Sequence, residues 1–118
     1  MLLSHLSADL PEIFITEIMA SNATSNLDPD FYAFSDWIEI FNSEDTVVNI
    51  SGYYISDDLN NPYKFQFLEN TTILPHSYFI LWADGKNLYP DEHHPSYPSY
   101  VDKNIVSYHT NFKLSKGG

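Results

Sequence analysis

Asp36 to Asp58 reads DWIEIFNSEDTVVNISGYYISDD, and its alternation decides the fold. Strand side chains repeat every two residues, so Ile38 and Ile40 point one way while Trp37, Glu39 and Phe41 point the other. Asn42 to Thr46, NSEDT, supplies turn chemistry, and a second strand pattern follows in Val48 and Ile50. Gly52 precedes the pair Tyr53-Tyr54, and Asp57-Asp58 closes the segment with another turn. Two strands joined in this way are expected to form the centre of an antiparallel sheet.

Outward from this stretch, Ile13 to Met19 (IFITEIM) reads as a first strand rich in β-branched and aromatic residues. A polar loop, ASNATSNLDPDFYAFS, separates it from the central pair. Asn60 to Phe67 reads as a turn and then a strand, and ENTTILPHS as a connection. Tyr78 to Ala83 (YFILWA) is nearly continuous in apolar residues, which predicts a buried strand ended by the Asp84-Gly85 turn. From Lys86 to Ser107 the pattern dissolves into an irregular connection with prolines and tyrosines. HTNFKLSKGG then offers one short strand around Asn111 to Leu114 and a glycine turn. No sustained 3.6-residue period occurs, so the chain is predicted to be all-β, as a sandwich or barrel. Ile15, Ile38, Ile40, Val48, Ile50, Ile55, Phe65, Phe67, Leu81 and Trp82 are the expected core.

The chain has 118 residues, which suits one domain, and 43% hydrophobic residues provide material for a core. Sixteen acidic residues against five lysines and no arginine give a formal net charge of -11. That surface repels phosphate, and bidentate guanidinium contacts cannot be made, so nucleic acid and anionic membranes are poor partners. No stretch approaches the ~20 apolar residues of a membrane-spanning helix, so no membrane insertion is expected. Cysteine is absent, which removes disulfides and thiolate metal sites.

Six blocks in order, ITEIMASN, DWIEIFN, SGYYISDD, KFQF, ILWADGK and HTNFKLSKGG, resemble the lamin tail domain family in its bacterial form. The similarity covers Glu12 to Gly118 and leaves residues 1–11 as a linker or the trimmed remnant of a larger protein. It implies an immunoglobulin-like antiparallel β-sandwich. It also implies a non-catalytic accessory module for protein interaction, adhesion or spacing in a large secreted or cell-surface bacterial protein. Family domains continue past the SKGG turn, so this one is expected to lack its last strands, being C-terminally truncated. An open sheet edge exposes unpaired backbone groups, so self-association through that edge, or a loose C-terminal segment, follows. The basic patches tied to chromatin contacts in lamins have no counterpart here.

Catalytic patterns are missing. Asp36 and Glu39 point to opposite faces, as do Asp57 and Asp58, so no local pair reaches the ~5–10 Å facing geometry of acid–base carboxylates. Glu39 is expected to reach solvent or a backbone donor. Neither a GxSxG elbow nor a phosphate-cradling glycine loop is present. Binding chemistry leaves three candidates. No cofactor is expected, but Asp28, Asp30, Asp36, Asp57 and Asp58 lie in loops that could converge on calcium, which accepts carboxylates in flexible geometry. Such acidic turns are also ordinary in sandwiches. His93-His94 with Asp91 and Glu92 offer transition-metal donors, although adjacent histidines diverge in an extended chain. Trp37, Tyr53, Tyr54, Tyr97 and Tyr100 are the candidates for an exposed platform that stacks on sugar rings. The plainer reading has Trp82, Phe79 and Phe65 in the core and tyrosines at its rim. Three Asn-X-Ser/Thr sequons, at Asn22, Asn49 and Asn70, matter only in a eukaryotic secretory host.

Overall fold

The computed structural model describes residues 1–4, 13–19 and 27–114. Among these residues eight strands follow in order: β1 Leu2–Ser4, β2 Ile13–Met19, β3 Trp37–Asn42, β4 Val48–Asn49, β5 Tyr54–Ser56, β6 Phe65–Gln66, β7 Thr72–Ile73 and β8 Tyr78–Trp82. They form sheets of order β1-β5-β6, β2-β3-β8 and β4-β7. Helix is absent among the described residues, so no helix there is long and apolar enough to cross a membrane. The chain divides into two compact units, Met1–Ile18 with Ile38–Ile80, and Met19–Trp37 with Leu81–Gly118.

In the first unit, Ile38 and Ile40 are fully buried while Glu39 and Phe41 are half-buried, as alternation requires. Glu39 accepts at Oε1 from the Thr16 hydroxyl at 2.9 Å, in an exposed bond at the surface. Ile50, Ile55, Phe65 and Phe67 complete this core, with Phe65 and Phe67 edge to face at 6.2 Å. Ile13 is buried where Ile15 was expected; Ile15 is half-buried.

The expected hairpin between β3 and the following strand does not form. β3 is the middle strand of its sheet, whereas β4 pairs antiparallel with β7 in the register Val48↔Ile73. Asn42 is the reason. Its backbone N–H donates to Ser77 O at 3.0 Å, and its buried side chain turns the next residues aside. Nδ2 donates to Thr46 O, Ile73 O and Leu74 O at 2.9, 3.0 and 3.1 Å, and Oδ1 accepts from Glu44 N at 2.9 Å. Two amide hydrogens thus serve three carbonyls. Asn42→Leu keeps the volume and orphans those carbonyls, so a stability loss of about 1–3 kcal/mol is expected in urea unfolding. An unchanged midpoint would show that the side chain does not hold this turn.

The second strand pattern is cut at Gly52. Its φ of 78° is a conformation that other residues adopt at a cost, and it separates β4 from β5. β5 then pairs with β1 (Leu3↔Ile55) and with β6 (Ile55↔Phe65). Leu2–Ser4 is therefore a strand, not linker, because β5 has an edge to satisfy. Ser4 also donates its hydroxyl to Pro62 O at 3.3 Å. Residues 5–12, with the proline at position 11, lie outside the described residues. ENTTILPHS, read as a connection, contains the two-residue β7.

β8 is less covered than its apolar run suggests. Tyr78 is exposed and Phe79 and Ile80 are half-buried, leaving Leu81 and Trp82 inside. Tyr78 instead lies against Phe41, ring centroids 4.8 Å apart.

In the second unit, Trp82, Ala83, Ile105, Tyr108 and Phe112 are buried. The irregular connection is closed by backbone bonds, not by strands. Asp91 N donates to Ile105 O and Ile105 N to Glu92 O, each at 2.8 Å. Tyr108 O accepts from Trp82 N, and Thr110 N donates to Trp82 O, so this stretch runs parallel along the end of β8. The strand expected at Asn111 to Leu114 is only a bridge between Lys113 and Asp84. The glycine turn that follows and the sequon at position 22 lie outside the described residues.

Candidate functional site

The second unit gathers Asp28, Asp30, Asp84 and His109 into one cluster of buried titratable side chains. Asp28 and Asp30 come from a turn in which Asp28 O accepts from Tyr32 N and Asp28 N donates to Ala33 O, both at 2.9 Å. Pro29 presets the turn, and Asp28 Oδ1 accepts from Asp30 N at 2.8 Å, the local bond that makes aspartate a turn former. Asp84 follows β8, where Gly85 takes a φ of 76° and Lys86 N donates back to Asp84 Oδ1 at 3.1 Å. His109 is held from both sides, exchanging backbone bonds with Leu88 at 2.9 Å while its neighbours bond to Trp82.

These elements place the His109 ring between carboxylates. Nε2 lies 2.7 Å from Asp30 Oδ2 and 4.0 Å from Asp28 Oδ1, and Nδ1 lies 2.7 Å from Asp84 Oδ2. The side chains of Asp28 and His109 are fully buried, Asp30 is 1% exposed and Asp84 5%. Asp30 also accepts from Val106 N at 2.8 Å and Ser107 N at 3.1 Å. His94, buried, donates from Nε2 to Asp30 O at 3.0 Å, and its Nδ1 accepts from Ser96 N at 3.1 Å. Phe31 stands edge-on to His109 at 5.4 Å and tilted to His94 at 4.6 Å. Lys86 Nζ sits 4.6 Å from the centre of the Phe31 ring and 4.0 Å from Asp84 Oδ2.

The electrostatics follow from burial against pairing. Burial alone would lower the His109 pKa, but hydrogen bonds to Asp84 and Asp30 and the nearby carboxylate charges raise it above its ordinary value. Ionised carboxylate oxygens only accept, so this pairing favours the ring form that donates from both nitrogens. Burial raises the Asp28 pKa against the opposing Asp30 N–H and His109 charge. Asp28 Oδ2 is buried with no hydrogen-bond partner, a shortfall shared among the described residues with Trp37 Nε1.

The residues singled out from sequence are distributed differently. Asp28 and Asp30 enter the cluster, and Asp36 lines a cavity of about 340 Å³ with Phe34, Ser35, Ala83, Asp84, Lys86 and Lys113. Asp57 and Asp58 belong to the first unit and are used locally. Asp57 pairs with Lys64 at 2.8 Å, and Asp58 accepts from Asn60 N at 2.9 Å. Of the two adjacent histidines, His94 is buried and His93 exposed, with Glu92 accepting from Tyr89 N at 2.6 Å. Trp37 and Tyr53 are 3% and 7% exposed and so absent from any surface platform. Tyr54 is half-buried against Tyr63, while Tyr97 and Tyr100 are 42% and 88% exposed. Asp84 and His109 were missed. Asp84 reads as a turn residue, and nothing local to His109 says that it meets partners 25 and 79 residues away.

The family model described as the lamin tail domain matches residues 7–118. No curated protein and no solved structure matches the chain. Domains of this family are immunoglobulin-like and non-enzymatic. The all-β architecture of antiparallel sheets agrees with that fold.

Proposed function

Because the chain belongs to the lamin tail domain family, we propose that it is a non-catalytic interaction or spacer module of a larger secreted or cell-surface protein. The observation that carries this reading is the sealing of the His109 cluster. Its four side chains are between 0% and 5% exposed, so the described groups best suited to proton transfer do not reach a substrate. Recognition is left to the surface, where Tyr97 and Tyr100 stand out of the proline-rich segment 95–101. Amphipathic rings of this kind bury large contact area at low entropic cost. The charge of -11 favours protein partners with a basic face over nucleic acid. The excess of negative charge and the Asn-, Ser- and Tyr-rich loops suit an extracellular bacterial setting.

A second reading, glycan binding, is favoured by the exposure of Tyr100 and weakened by the covering of Trp37 and Tyr53. The test is to immobilise the chain and compare it with Tyr97→Ser/Tyr100→Ser against surface-protein extract and a glycan array. Saturable capture of a defined protein that the double variant loses at least about tenfold is expected, given that exposed aromatic anchors cost over 1 kcal/mol each. Glycan hits that the same variant abolishes would move the assignment to carbohydrate. Equal capture by both chains would place the binding surface elsewhere.

A further inference from the structure

We propose that Asp28, Asp84 and His109 bind a zinc-type divalent metal ion. One donor atom from each lies within 4.8 Å of the others, all inside the second unit. An imidazole with two carboxylates and no thiolate suits a first-row transition ion, whereas calcium takes six to eight oxygens.

Acidic clusters are common without metals, and two further observations distinguish this one. Asp28 Oδ2 is fully buried and has no hydrogen-bond partner. Protonated or not, that oxygen needs a partner, and a cation provides one. The second observation is Asp30, whose carboxylate is anchored by the N–H groups of Val106 and Ser107 and faces His109 Nε2 at 2.7 Å. Metal-bound histidines regularly give their second N–H to such a carboxylate, which fixes the tautomer and the ring. With Nε2–H on Asp30, Nδ1 is the free donor, and it already faces Asp84 Oδ2 at 2.7 Å. Asp84 must draw back slightly for an ion about 2.0–2.2 Å from each donor. It also lines the cavity shared with Asp36 and Lys86, which is the side on which it can give way. Asp30 is then a positioning residue and not a ligand. The role is structural, closing the loops of this unit, and its failure would leave the interaction reading untouched.

The test titrates the chelator-treated chain with zinc chloride by calorimetry, with calcium and magnesium chloride in parallel. His5, His76 and His93 are replaced together by Gln in a control chain to remove other histidine sites. One zinc per chain is expected in both proteins, with a raised melting midpoint and no comparable response to calcium or magnesium. Asp84→Asn loses a direct ligand and should weaken binding at least about tenfold, the lower bound for loss of an outer partner. Should that variant not fold, imidazole nitrogen resonances of the unaltered chain decide. A zinc-dependent shift at His109 supports the site, and shifts confined to the exposed histidines overturn it. No heat with zinc, or binding that disappears in the triple control, also overturns it.

Discussion

His109→Ala is expected to destabilise the metal-free chain by about 3–5 kcal/mol, because it removes one partner of a buried charge cluster and leaves the others. Asp30 and Asp84 would lose bonds of 2.7 Å each, with side chains only 1% and 5% exposed. Urea unfolding followed by tryptophan fluorescence measures this, since Trp37 and Trp82 are both buried. The effect carries a pH signature. The folded-state pKa of His109 is raised above 6.5, so its stabilisation is complete below that pH and lost as pH rises through the folded value. Asp28 has the same sign, since its pKa is raised above 3.8 and the folded chain holds that proton longer than the unfolded one. The wild-type midpoint should therefore fall as pH is raised from 6.5 in the presence of chelator. In His109→Ala the histidine part of that slope should vanish. A variant with wild-type stability and wild-type slope would mean that the ring is not an imidazolium between carboxylates.

Ile38→Ala should cost about 2–5 kcal/mol, the range for deleting a fully buried aliphatic side chain and leaving a cavity. Ile38 has no exposed surface, and it sits on the middle strand of its sheet, where neighbours cannot easily collapse inward. Val47→Ala is the matched control. Val47 is 51% exposed just before β4, and such a change should stay within about 0.5 kcal/mol. Equal effects at the two positions would remove the two-residue alternation on which the architecture rests.

Strand existence was legible because it is local. Alternation and β-branched composition located β2 at Ile13–Met19 and the core positions Ile38, Ile40, Ile50 and Ile55. Strand partnership was not legible, because a period of two says which way a residue faces and nothing about its neighbour. The turn after β3 looks like a hairpin in composition, yet the amide of Asn42 bonds Ile73 and Leu74, 31 and 32 residues away. The candidate site was half legible for the same reason. Asp28 and Asp30 stood out as an acidic loop, while Asp84 and His109 gain their meaning only from bonds across 25 and 79 positions. Burial of Trp37 was hidden too, since alternation assigns it to the face opposite Ile38 without saying that this face is also covered.

The reach of Asp30 has a kinetic side. Its bonds go to residues 64, 76, 77 and 79 positions downstream, and contacts so distant in sequence demand loop closure before they return anything. On the ribosome, the acids at 28 and 30 emerge long before the histidine that compensates them. This half of the molecule must therefore stay open until synthesis has passed residue 109, and a nascent chain stalled short of that point displays to chaperones and proteases what the finished one conceals.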